Sequence, residues 1–160
     1  MKFISADFID KSLEVANELN DETLIPFIEE FTTAQPEMAA YLLSAIEDDI
    51  SEDENEILFL NGMIIWYATV LADVDMPRIS MEAIMKADED NEDALDALAG
   101  DGEDDVVFDL NEIIEKHPQR ELLDFAASVA TEDEDIEQES EIIIFSFLKV
   151  IIDAMHQAVE

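Results

Sequence analysis

Apolar residues in this chain recur at intervals of three and four, the spacing that lines one face of a helix. Ile9, Leu13 and Ala16 predict a first helix over Phe8–Leu19, and Leu24, Phe27, Ile28 and Phe31 predict a second over Leu24–Phe31. Pro36 suits the first position of a third helix running to about Asp49, because a first-turn residue has no intrahelical N–H bond to lose. The tetrad Ser51-Glu-Asp-Glu54 reads as a capping box, in which the serine hydroxyl and the glutamate carboxylate each accept from the other's backbone N–H. It stands directly before the apolar run ILFLNGMIIWYATVLA, Ile57 to Ala72, and so predicts a fourth helix that should be the most buried.

In the second half, Pro77 predicts the opening of a fifth segment to about Ala87. Asn91–Ala99 predicts a short sixth, closed by Gly100 as a C-terminal cap. Val107, Leu110, Ile113 and Ile114 place a helix over Asp105–Lys116. Pro118 restarts the chain into another through about Ala130, with Leu122, Phe125, Ala126 and Val129 inward. Thr131-Glu-Asp-Glu134 repeats the capping-box pattern and predicts the start of a last helix to about Gln157. On that reading the acids of TEDEDIEQES, Thr131 to Ser140, face the positive end of a helix dipole, and Thr131→Ala should cost about 1 kcal/mol through the lost cap.

The two boxes align further. ENEILF at Glu54–Phe59 corresponds to ESEIII at Glu139–Ile144, and Pro36 and Pro118 fall at matching places upstream. The pattern predicts one all-α domain over residues 1–160, with about eight helices. It reads as a tandem duplication of halves 1–75 and 76–160, built as a bundle or a short HEAT-like stack with the two apolar helices together at its centre.

Composition narrows this picture. Three Gly and four Pro in 160 residues are too few for the many turns of an all-β fold, and 49% hydrophobic residues against 31% charged is the balance of a chain that folds. Seven Lys and Arg stand against 43 Asp and Glu, a formal net charge of −36, and no basic residue occurs from Ser12 to Pro77. Such a field repels nucleic acid and anionic membrane surfaces and attracts basic proteins and cations, more weakly as salt rises. The absence of Cys excludes disulfides, thiol catalysis and Cys-ligated metal sites. The opening MKFISADFID places Asp7 before any long apolar run, unlike a signal peptide, and Ile57–Ala72 is shorter than the ~20 residues a bilayer needs. A soluble, cytoplasmic protein is expected.

Candidate chemistry is sparse. Asp101–Glu112 carries acids at calcium-loop positions one, three, five, nine and twelve, but Val106 stands where the loop's sharp bend needs Gly. A helix N-terminus capped by Asp104 or Asp105 accounts for the same letters. The tract Ala87–Asp105 holds ten acids and no base, which suits diffuse cation binding, a basic peptide or a solvated linker. Asp153 and His156 have the i, i+3 spacing of helical di-iron sites, which need a second such pair; the only other histidine, His117, has Ile114 three residues before it. His156 therefore reads as a partly exposed residue whose charge is favoured near a helix C-terminus. There is no G-x-S-x-G and no Gly-rich phosphate loop. Phe59, Trp66 and Tyr67 read as core, and Met76, Met81 and Met85 as gap-fillers or the edge of a pliable groove.

No catalytic residue, cofactor or metal ligand is assigned on these grounds. The expected function is a non-catalytic, highly acidic helical interaction module for a basic protein partner. Glu52, Asp53, Glu54, Glu132, Asp133, Glu134 and Asp135 form its expected contact face. One alternative is a DNA mimic that inhibits a nucleic-acid-binding protein. A compact chain of this mass exposes about 8,000 Å², so its charges average roughly one per 220 Å², against about one per 110 Å² on duplex DNA; a mimic must gather its acids on one face. A second alternative is a solvated acidic domain that binds divalent cations weakly and has no charged partner.

Overall fold

The computed structural model of the chain describes residues 1–48, 50–99 and 110–159. Every regular element among them is helical. Helix α1, Ala6–Glu18, is followed by α2, Asp21–Ala34, whose entry is fixed by Asn20. The Asn20 Oδ1 accepts from the N–H groups of Glu22 and Thr23 at 2.9 and 3.1 Å, while Thr23 Oγ1 accepts from the Asn20 N–H at 2.9 Å. Helix α3, Pro36–Leu43, begins on its proline and tightens into a 3-10 turn, Ser44–Asp48. Helix α4, Glu52–Leu71, starts with the capping box expected of it: Glu54 N–H donates to Ser51 Oγ at 3.1 Å, and Ser51 N–H to Glu54 Oε1 at 2.9 Å. Helices α5, Met81–Ala99, α6, Leu110–Lys116, and α7, Arg120–Glu132, follow. A short 3-10 turn, Gln138–Ser140, leads into α8, Glu141–Ala158.

Three sequence expectations are corrected. Pro77 does not open a helix. Residues 74–80 carry no regular structure and are tied down by the buried Gln35 amide, which donates to Pro77 C=O at 2.8 Å and accepts from Ile79 N–H at 2.9 Å. The helix starts after Ser80, whose hydroxyl accepts from Ala83 N–H at 3.1 Å. It then runs unbroken through the two segments read as separate, since Ile84, Ala87 and Asn91 keep one buried stripe across the acidic letters between them.

Thr131 does not cap the last helix either. It lies in the final turn of α7, where its hydroxyl donates back to Ala127 C=O at 2.8 Å. The acidic stretch is instead the connection between α7 and α8, anchored by the buried Ile136, and α8 begins nine residues later than the box implied. The third correction concerns burial: α8 buries ten of its 18 residues and α4 ten of its 20, so the last helix is the more deeply placed. Gly100, the Asp105 helix start and the calcium-loop pattern over Asp101–Glu112 fall, wholly or mostly, outside the described residues.

Helices α4 and α8 pack against each other at the centre. Helix α1 lies on α4; α5 and α7 lie on α8; α3 bridges α4 and α5, and α1 also touches α7. Gly62 marks the close approach of three helices, because a Cβ there would stand 2.4 Å from Leu42 Cδ1 and 3.5 Å from Ile151 Cδ1. Phe31 packs against Phe59 and Trp66 with ring centroids 5.7 and 5.3 Å apart; Phe31 and Trp66 are core, and Phe59 is half-buried against them. One continuous set of buried apolar residues runs from Ile4 to Met155. Each large side chain fully removed from water contributes about 1.5–3 kcal/mol, and this is the term that opposes the self-repulsion of the surface. Among the described residues, no helix is long and apolar enough to cross a membrane.

Candidate functional site

The two acidic runs singled out from the sequence meet through one side chain. Glu54 is only 3% exposed; its Oε1 caps α4 and its Oε2 accepts from the Glu137 N–H at 3.1 Å. The buried Ser140 lies beside this carboxylate. Burial works against the charge on Glu54, but the N–H groups of Ser51 and Glu137 and the two serine side chains outweigh it and hold the carboxyl below its usual range. This bond draws the α7–α8 connection onto the start of α4. Exposed Glu52 and Asp53 thereby share one end of the molecule with exposed Glu134 and Asp135. Glu132 is exposed at the end of α7, and half-buried Asp133 accepts from the Asp135 N–H at 2.9 Å. Of the seven residues, Glu54 is the one turned inward, with both oxygens engaged.

Beside this acidic end lies a groove of about 720 Å³, walled by the end of α1, the first half of α2, the 3-10 turn after α3 and the first half of α4. Leu24, Ile28 and Phe59 line it, together with Leu43, Ile46 and Leu60, which are 52, 44 and 37% exposed. Glu52 and Glu56 stand on its rim, and no Lys, Arg or His lines it. All its lining residues come from the base-free stretch between Ser12 and Pro77. Large apolar side chains are thus left in water within one concave, acid-edged surface. A sequence signal for it exists in hindsight. Ile57, Leu58, Phe59 and Leu60 are apolar at four successive positions, more than one helix face can bury, and the surplus opens onto the groove.

A second polar centre joins the chain ends, and spacing along the sequence gave no sign of it. His117, from the turn between α6 and α7, donates from Nε2 to Asp153 Oδ1 at 2.5 Å and accepts at Nδ1 from the Gln119 N–H at 2.9 Å. Lys149, one turn before Asp153, donates to its other oxygen at 2.7 Å. Burial of Asp153 opposes its ionisation, yet the His117 hydrogen bond and the Lys149 charge prevail and lower its pKa. The buried Gln119 amide accepts from Ile4 N–H at 3.0 Å and donates to Lys2 C=O at 2.7 Å, and it lies 3.2 Å from His156 Nδ1. The N-terminal ammonium donates to His156 C=O at 3.2 Å and to Val159 C=O.

The expectation that His156 carries a favoured charge is therefore corrected: desolvation first, then the nearby N-terminal ammonium, push its pKa below the usual value. Both ring nitrogens of His117 are occupied and both Asp153 oxygens are paired, so the cluster fastens the N-terminal segment to α7 and α8.

Comparison with protein-family models, curated proteins and solved structures finds no match to this chain.

Proposed function

We propose that the chain is an acidic helical interaction module that receives an amphipathic, basic helix of a partner protein in the groove between α2, α3 and α4. The observation that carries this reading is the exposure of Leu43, Ile46 and Leu60 beside Glu52 and Glu56, on a surface with no basic residue. A helix laid in such a groove buries its i, i+3, i+4 and i+7 apolar residues and turns Lys or Arg to the rim. The apolar floor supplies affinity, while the acid rim supplies steering and orientation. Imitation of DNA needs neither a groove nor exposed leucines, which is why a folded partner is preferred here.

The duplication belongs to the same reading. Helix α1 lies on α4 as α5 lies on α8; α1 touches α7 as α3 touches α5; and the two long helices meet at the centre. These reciprocal contacts support an origin in two copies of one helical unit, with the groove kept by the first.

The test uses a synthetic amphipathic peptide with leucines on one face and lysines on the other, followed by fluorescence anisotropy. Binding should survive ~200 mM salt, weaken about ten-fold or more in the Leu43→Asp/Leu60→Asp variant, and fail for the same peptide with glutamate in place of lysine. Equal binding to wild type and variant, with complete loss at the higher salt, would leave charge alone as the attraction and sink the groove.

A further inference from the structure

On the other side of the 3-10 turn, a separate open pocket of about 480 Å³ is lined by that turn, α5 and the start of α8. We propose that it binds a guanidinium group. Glu47 and Asp48 edge it from the turn, Asp88 and Glu92 from α5, and Ile142 and Ile143 wall it from α8. Asn91, also from α5, lines the same pocket while being only 2% exposed, and its Oδ1 has no hydrogen-bond partner.

A buried acceptor left without a partner is costly, so an occupant that brings a donor to Asn91 is favoured. The four carboxylates require that donor to be cationic. Among the described residues no three carboxylate or imidazole side chains converge closely enough to hold a metal ion, so the carboxylates are spread around a space that suits an organic cation.

Guanidinium fits better than ammonium on two counts. Its planar fork carries five N–H donors, enough to reach Asn91 and more than one carboxylate at once, and it is less strongly hydrated, so entering a half-buried pocket costs less. Asp88 is already partly desolvated, which pushes its pKa up, and the Tyr41 ring lies beside it on the core side. Tyr41 is held in turn by stacking on Phe147, with ring centroids 4.7 Å apart. Ile142 and Ile143 offer an apolar wall to the methylene stem of an alkylguanidine or an arginine side chain.

The site stands independently of the groove, and the Leu43→Asp/Leu60→Asp variant leaves it intact. Two probes, n-butylguanidinium and Nα-acetyl-arginine amide, are titrated into the full chain at ~150 mM salt, with binding read by side-chain methyl and amide NMR shifts. Saturable 1:1 shifts at Asn91, Ile142 and Ile143 are expected. Binding of both probes points to an arginine side chain as a competent source, and binding of n-butylguanidinium alone points to a free small guanidine. Asn91→Leu should weaken binding about ten-fold without lowering Tm, because it removes an unsatisfied acceptor. Asp88→Asn should weaken it comparably. Shifts that never saturate, that are the same in both variants as in wild type, or that are absent for both probes would overturn the proposal, the first two being the behaviour of a diffuse counterion cloud.

Discussion

Glu54 offers the sharpest test of the physical account, because it predicts that one acid among 43 is needed while its neighbour is not. Glu54→Ala removes the acceptor for Ser51 N–H at 2.9 Å and for Glu137 N–H at 3.1 Å. The Ser51 end is open to water, so losing the reciprocal cap there costs about 1 kcal/mol. The bond from the Glu137 N–H is part-buried, and leaving that donor unsatisfied adds about 1–3 kcal/mol. Relief of like-charge repulsion returns only a few tenths, so the net loss should be about 2–4 kcal/mol, a large part of the usual 5–15 kcal/mol of a domain.

Asp53→Ala is the control: Asp53 is exposed one residue earlier, and its dipole contribution and its repulsion nearly cancel, for a change within about 0.5 kcal/mol. Urea unfolding followed by far-UV circular dichroism measures both. The pH dependence adds a sign. The folded pKa of Glu54 lies below the ordinary 4.5, so its contribution is complete above that pH and is lost as the pH falls through the depressed value. The gap between wild type and Glu54→Gln should therefore shrink on acidification. Equal midpoints for Glu54→Ala and Asp53→Ala would refute the claim that this carboxylate joins the two acidic runs.

Thr131→Ala should leave stability within about 0.5 kcal/mol or raise it slightly, since Thr131 sits inside the end of α7 rather than at a cap; a 1 kcal/mol loss on denaturant unfolding would restore the capping assignment. Gly62→Val should destabilise by about 1–3 kcal/mol, because the added methyls meet Leu42 and Ile151 where three helices converge; a midpoint equal to wild type would show that the core yields there. His156 has a folded pKa below 6.5, so its neutral form stabilises the fold above that pH and protonation of the unfolded chain erodes stability beneath it. Thermal midpoints at about pH 7.5 and pH 5.5 should therefore fall further for wild type than for His156→Gln; an equal fall would remove His156 from the titration.

The pattern of letters reached the helices wherever local chemistry decides them. Pro36 at a first turn, the Ser51–Glu54 box and the burial of Trp66 were all legible, because each depends on residues within a few positions or on a long apolar run. The same box failed at Thr131, where an identical spacing is followed by Ile136 turning into the core and not by a continuing helix. Pro77 failed because Gln35, far away in sequence, provides its segment with backbone partners and removes the need to become helical.

Sequence alone thus determined the class of the fold and the sign of its surface, since helical periodicity and charge are sums over the chain itself. Only tertiary structure decided which acids are buried, where leucines remain in water and that His117 meets Asp153, because those outcomes depend on which faces are covered by distant segments. A carboxylate reads the same in the sequence whether it faces solvent, as Asp53 does, or ties two elements together, as Glu54 does; the difference lies in the donors that packing brings to it.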